Sequence, residues 1–154
     1  MTLELGRLTD RKPPFKYSAL ARVGFSDTDA QGVVYYGRYL PFFDLARFEY
    51  LRHLGLLQSN VGPRQFAMRA SSVEYHAPAR FDDLVEIFVR TSRIGRTSIT
   101  ANYAAYRLDD DVLMCSAKQT MVLVDAVERR PVRIEPAYRE AIRAFEGTDL
   151  EEAP

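Results

Sequence analysis

Phe25-Ser26-Asp27-Thr28-Asp29-Ala30-Gln31-Gly32-Val33-Val34-Tyr35-Tyr36 runs directly into an amphipathic segment, Arg38 to Gly55. Phe43, Ala46, Tyr50 and Leu54 fall on one helical stripe, and Leu40, Phe42, Leu45 and Leu51 widen it. The pattern predicts a long helix, apolar around much of its circumference and therefore largely enclosed. Pro41 is tolerated in a first turn, where its missing N–H costs nothing. Gly55 is a natural residue on which to stop. Two carboxylates and a glycine thus stand just before a helix N-terminus, which carries unpaired N–H groups and partial positive charge. That combination suggests chemistry on a carbonyl.

Strands surround this helix in the sequence. Lys16 to Phe25 alternates Tyr17, Ala19, Ala21 and Val23 against Ser18, Leu20 and Arg22. After the helix come four further strand patterns: Gln65 to His76, Leu84 to Ile94, Arg96 to Leu108 and Val112 to Asp125. The last two are joined by the acidic turn Asp109-Asp110-Asp111. A short helix is expected over Pro136 to Phe145. Residues 1–14 read as a loose arm, residues 15–147 as one domain and residues 148–154 as a frayed acidic tail. Short connections make the later strands antiparallel. The expected α+β architecture is a curled, five-stranded antiparallel sheet wrapped around one long helix. Its outer face and edges need cover, and self-association is the common remedy.

Composition narrows the function. The chain has 154 residues, a 47% hydrophobic fraction, and 21 basic against 21 acidic side chains, so its formal net charge is zero. That weakens any bulk electrostatic case for nucleic acid or an anionic membrane, while leaving room for local basic patches. No apolar run approaches the ~18 residues of a membrane span, and residues 1–14 lack a signal-peptide core. The lone Cys115 cannot form an internal disulfide and suits a reducing cytoplasm. It reads as a buried structural thiol. His53 and His76 are far apart and have no cysteine nearby, so neither a metal site nor any other cofactor is expected.

The candidate site residues each have a plainer reading. Asp27 and Asp29 could cap the helix as well as act on a substrate. Gly32 permits either an unusual backbone conformation or a close approach. Gly32, Val33 and Tyr35 are expected to lie against the substrate, and the amides of Tyr36 and Gly37 to be free to bind an oxyanion. Glu74 and His76 share strand parity while Tyr75 faces the other way; a structural histidine is the expectation there. His53 suits a helix C-terminus.

Arg93-Ile94-Gly95-Arg96 suggests an anion site. Across a two-residue turn, Arg93 and Arg96 would face each other, and like charges so placed are destabilising unless an anion lies between them. Thr97, Ser98 and Arg90 could assist in holding phosphate. The alternative is a solvated pair.

Taken together, Asp27 to Tyr36, the helix Tyr39…Ala46-Arg47…Tyr50-Leu51-Arg52, and Val73-Glu74-Tyr75-His76-Ala77-Pro78-Ala79-Arg80-Phe81-Asp82-Asp83 resemble the 4-hydroxybenzoyl-CoA thioesterase family. The likeness spans about residues 17 to 146 and is strongest to the Tol–Pal-associated acyl-CoA thioesterase branch. It implies the hotdog fold and an acyl-CoA substrate. It also implies a homo-oligomer, a dimer or homotetrameric dimer of dimers, with active sites at subunit interfaces. It puts the catalytic carboxylate on Asp29, leaves Asp27 in support, and puts the carbonyl-polarising amide on Tyr36. In the Tol–Pal-associated branch a histidine commonly stands where this chain has Tyr36; the aromatic-acyl branch carries tyrosine there. A backbone amide survives that change. Arg93 and Arg96 are a weaker transfer, because phosphate contacts vary across the family.

The expected activity is hydrolysis of an acyl or aromatic acyl-CoA thioester, with Asp29 as nucleophile or general base. One alternative is a non-catalytic acyl-thioester-binding module. Another is a hydroxyacyl-thioester dehydratase, which would need a histidine near the helix; the sequence shows none there before His53.

Overall fold

The computed structural model describes residues 3–60 and 62–153. After a short strand β1 (Gly6–Leu8) come β2 (Tyr17–Arg22) and the long helix α1 (Tyr39–His53), which is preceded by a 3-10 turn at Tyr36–Arg38. Then follow β3 (Arg64–Tyr75), β4 (Leu84–Ile94), β5 (Ser98–Arg107) and β6 (Val112–Asp125). A second helix α2 (Pro136–Glu146) and a two-residue strand β7 (Glu151–Glu152) complete the order. The sheet runs β1-β2-β4-β5-β6-β3, and every pairing on that path is antiparallel. Among the described residues seven strands replace the five expected, because β1 and β7 add the segments on either side to the sheet.

One face of the sheet packs on α1. Phe43, Ala46 and Tyr50 of the helix are buried beside Val85, Ile87 and Val89 of β4 and Ile99, Ala101, Tyr103 and Ala105 of β5. Phe43 stacks on Tyr103 with ring centroids 4.8 Å apart. The helix is less enclosed than its composition suggests: Leu40 is 39% exposed and Pro41 is also exposed.

The arm expected to be loose is instead docked. Glu86 and Phe88 point away from α1, yet they are 1% and 0% exposed. Arg7 and Arg11 ion-pair with Glu86, Ser18 Oγ donates to it at 2.6 Å, and Phe15 packs on Phe88 at 6.0 Å. Alternation along β4 predicts one solvated face, and the arm removes it. The acidic tail is likewise paired rather than frayed. Glu151 and Glu152 lie parallel to Arg93 and Ile94 of β4, and the Ala153 N–H donates to Ile94 O at 2.9 Å.

Candidate active site

The segment from β2 to α1 folds into a pinned loop. Asp27 is buried and holds both ends of it. Its Oδ2 accepts the Gly24 N–H at 2.7 Å, and its Oδ1 accepts Arg38 Nε and Nη2 at 3.0 and 2.9 Å. Its carbonyl accepts the Tyr35 N–H at 2.9 Å. All these contacts serve the loop, and none leaves the carboxylate free for a reactant.

Asp29 sits two residues on, at a tight turn. Its N–H donates to Val33 O, and Gly32 N–H donates back to Asp29 O, both at 2.9 Å. Gly32 has φ +78°, and a Cβ there would meet nothing within 4 Å. The turn therefore requires glycine for its left-handed backbone and not for want of space. Asp29 Oδ1 accepts the Gln31 N–H at 2.8 Å, which leaves Oδ2 without a hydrogen-bond partner among the described residues.

The loop is anchored to the chain after β3 through the Val33–Arg80 bridge and Val34 N–H to Ala79 O at 2.8 Å. At the helix start, Arg38 N–H donates to Tyr35 O at 2.8 Å. The amides of Tyr36 and Gly37 have no acceptor among the described residues. A Cβ on Gly37 would come within 2.9 Å of the Tyr35 ring, so only glycine lets that ring lie flat against the backbone.

A cavity of about 350 Å³ opens here, with Asp29, Gln31, Val33, Val34, Tyr36 and Tyr39 on one wall and Tyr75, His76, Ala77 and Pro78 on the other. Tyr75 Oη donates to Tyr36 O at 3.1 Å, crossing from the end of β3 to the start of the helix. Burial pushes the Tyr39 hydroxyl up to about 12 and moves that of Tyr75 in the same direction, so both are neutral near pH 7. Asp29 and Val33 line this cavity with Tyr36; Gly32 shapes the turn, and Tyr35 packs on Tyr36 at 4.3 Å instead of lining the wall.

Two expectations change. Arg93 does not face Arg96: Arg93 pairs with Thr100 and Ile94 with Ile99, leaving the four-residue loop 95–98 closed by Gly95 N–H to Ser98 O at 2.7 Å. A bulge between Thr91 and Arg93 shifts the register, and Arg93 meets Glu151 at 3.6 Å. Arg93, Arg96 and Thr97 also lie at the far end of β4 from the Asp29 loop, which joins that strand's start through Val23 N–H to Asp83 O. Glu74 and His76 do share a face, as expected: the His76 imidazole reaches the Ser116 hydroxyl, and Ser116 is the residue paired with Glu74. β3 ends at Tyr75, and His76, the next residue, is among those that line the cavity. A histidine therefore does reach this site, from β3 and not from the helix; its Nε2 lies 2.9 Å from Ser116 Oγ. His53 contacts Glu4 and packs on Tyr17 at the distant helix end. Cys115 is fully buried, and burial pushes its thiol up to about 12.

Among the described residues, an unpaired carboxylate oxygen and two unpaired amides at a helix start thus stand beside one sheet packed on one long helix. Residues 23–142 match the model of the thioesterase-like superfamily, and the chain belongs to that family. It is a thioester hydrolase. It is 36% identical over 112 residues to the acyl-CoA thioester hydrolase YbgC of Escherichia coli O6:H1, covering 71% of this chain and 83% of that one. It is 33% identical over 119 residues to the acyl-CoA thioesterase YbgC of Haemophilus influenzae, covering 75% and 86%. Among solved structures, a probable thioesterase from Bartonella henselae superposes with a TM-score of 0.69 at 32% identity, over 77% of this chain and 98% of that one.

Proposed function

We propose that this protein hydrolyses acyl-CoA thioesters, with Asp29 as the reacting carboxylate and the Tyr36 and Gly37 amides as oxyanion donors. The reading rests on one observation: Asp29, whose Oδ2 has no hydrogen-bond partner among the described residues, and the helix-start residue Tyr36 line the same cavity of about 350 Å³. The relatives named for acyl-CoA hydrolysis support the carrier, and we place the chain nearest the Tol–Pal-associated branch.

The thioester carbonyl oxygen would accept from those two amides. As a tetrahedral intermediate forms, negative charge grows on that oxygen, where one such donor is typically worth about 10²–10³ in rate. In the nucleophilic route Asp29 Oδ2 bonds to the carbonyl carbon and the C–S bond breaks. The thiolate departs and takes a proton from water, and a second water hydrolyses the resulting mixed anhydride. In the general-base route Asp29 removes a proton from the attacking water, and that proton returns to the leaving sulfur. Single-turnover hydrolysis in ¹⁸O-water separates the two, since only the anhydride route puts label into Asp29. Thiol release across a panel of acyl-CoAs is the primary test. Activity in the wild type that persists undiminished in Asp29→Asn would refute the assignment.

The same reading includes self-association in a cytoplasmic setting. β3 is an edge strand of 12 residues, exposed along most of its length, with one line of backbone groups unpaired. Antiparallel pairing of two β3 strands about a two-fold axis would satisfy both copies alike. It would also bring the partner's β3 start beside Tyr75. In each copy that start adjoins a cavity of about 540 Å³ lined by Phe66, Leu123, Ile134 and Tyr138. A dimer of dimers is the expected assembly, and sedimentation measures it. No helix among the described residues is long and apolar enough to cross a membrane.

A further inference from the structure

At the far end of β4 from Asp29, another cavity of about 520 Å³ is lined by Arg133, Ile134, Pro136, Arg139, Arg143, Glu152 and Ala153. Arg93 stands at its margin through β7, which pairs with Arg93 and Ile94. Arg96 adjoins it through the Ile134 N–H to Arg96 O bond at 2.9 Å. Three arginines thus line the cavity, and the carboxylates of Glu140, Glu151 and Glu152 meet the guanidiniums of Arg93, Arg139 and Arg143. The side chains of Arg96 and Arg133 have no ion pair among the described residues.

The occupant of this groove is the chain's own tail. Glu152 Oε2 accepts Arg143 Nε at 2.8 Å and Oε1 accepts Arg143 Nη2 at 3.0 Å, a two-point fork. Arg139 Nη1 lies 3.7 Å from the same carboxylate, and Glu151 lies 3.6 Å from Arg93 Nε. Such parallel paired contacts suit phosphate as well as carboxylate. The strand that delivers these glutamates is only two residues long. Little backbone pairing resists its departure.

We infer that the arginine groove between α2 and the end of β4 is a binding site for a phosphate-bearing ligand, and that the 151–153 tail covers it as a displaceable acidic stand-in. Arg139 also donates to the Gly95 carbonyl, which ties the β4–β5 loop to the same groove. Arg93 and Arg96 therefore contribute from the rim, and the main contacts come from α2 and the segment before it. The identification of coenzyme A as the natural source of the phosphate rests on the function proposed above; the anion site itself does not.

Calorimetric titration with inorganic pyrophosphate and, separately, with coenzyme A tests the site without any turnover. Deleting residues 151–154, or replacing Glu151→Gln and Glu152→Gln in the full chain, should tighten pyrophosphate binding by about tenfold, as two charge-assisted competitors are lost. Adding Arg133→Ala and Arg143→Ala to either background should abolish the gain. These residues are on the surface, and a melting curve verifies that the fold is kept. Stronger binding of coenzyme A than of pyrophosphate would assign the site to the carrier; equal binding would assign it to phosphate groups generally. Pyrophosphate affinity that ignores both the tail and the arginines would overturn the inference, whether or not the protein hydrolyses thioesters.

Discussion

The hydroxyl of Tyr75 donates to the carbonyl oxygen of Tyr36 at 3.1 Å. That carbonyl belongs to the same peptide unit as the Gly37 N–H, so the bond fixes the plane that aims a proposed oxyanion donor. It also polarises that N–H through the amide. Tyr75 is thus a positioning residue. Tyr75→Phe removes one hydrogen bond worth about 0.5–1.5 kcal/mol. If that is felt in the transition state, kcat should fall about three- to tenfold while KM changes little. An equal loss in kcat with Tyr75→Phe and Tyr75→Leu would point to the hydroxyl, whereas loss only with Leu would point to the ring.

Asp27 and Asp29 should separate cleanly by experiment. Asp27→Ala strips partners from the Gly24 N–H and the Arg38 guanidinium, and should cost about 1–3 kcal/mol of stability. Asp29→Asn keeps its turn contact through an amide oxygen and should melt close to the wild type. It should, however, lose about 10²–10⁴ in kcat. Thermal melts beside thiol-release kinetics distinguish them, and the reverse pattern would exchange their roles.

Glu146 makes stability depend on pH. The carboxyl is 1% exposed; its Oε2 accepts Tyr50 Oη at 2.6 Å and the Thr91 N–H at 3.1 Å, while Oε1 has no hydrogen-bond partner. Burial raises its pKa above the ordinary 4.5, against the lowering effect of those hydrogen bonds and of Lys16. The unfolded group releases its proton at lower pH than the folded one. Its contribution is therefore full below pH 4.5 and is lost as pH rises through the elevated folded value. The melting temperature of Glu146→Gln relative to wild type should climb between about pH 4 and about pH 8. A constant difference across that range would contradict this.

Cys115 should be inert in the folded state. Its thiol is buried and pushed up to about 12, so thiolate is scarce at about pH 8. Labelling with a disulfide reagent should proceed no faster than unfolding, and rapid stoichiometric labelling of the native protein would disprove it.

Much of this protein was legible in local pattern. Period-2 alternation located β2, β4, β5 and β6, and the apolar stripe located α1, because side-chain direction follows from backbone geometry within a few residues. The pair Asp27 and Asp29 before a helix start was equally visible. Their division of labour was not: it depends on Arg38 closing back over Asp27 and on Gly32 turning the chain at Asp29.

The tertiary structure alone decided what crosses the chain. Docking residues 3–16 on Glu86 and Phe88 joins segments more than 70 positions apart, so β4 hides a face that its own alternation marks as solvated. His76 meets the Asp29 loop at one cavity because the chain after β3 is tied to that loop, through Val34 N–H to Ala79 O. The acidic tail and the arginines of α2 find each other only because β7 adds to the end of β4. The sequence by itself determined which segments are helix and strand and which carboxylates precede the helix, since these follow from near neighbours. Strand order, edge exposure and the meeting of distant charges follow from closing long loops around a shared core, and no local period encodes that.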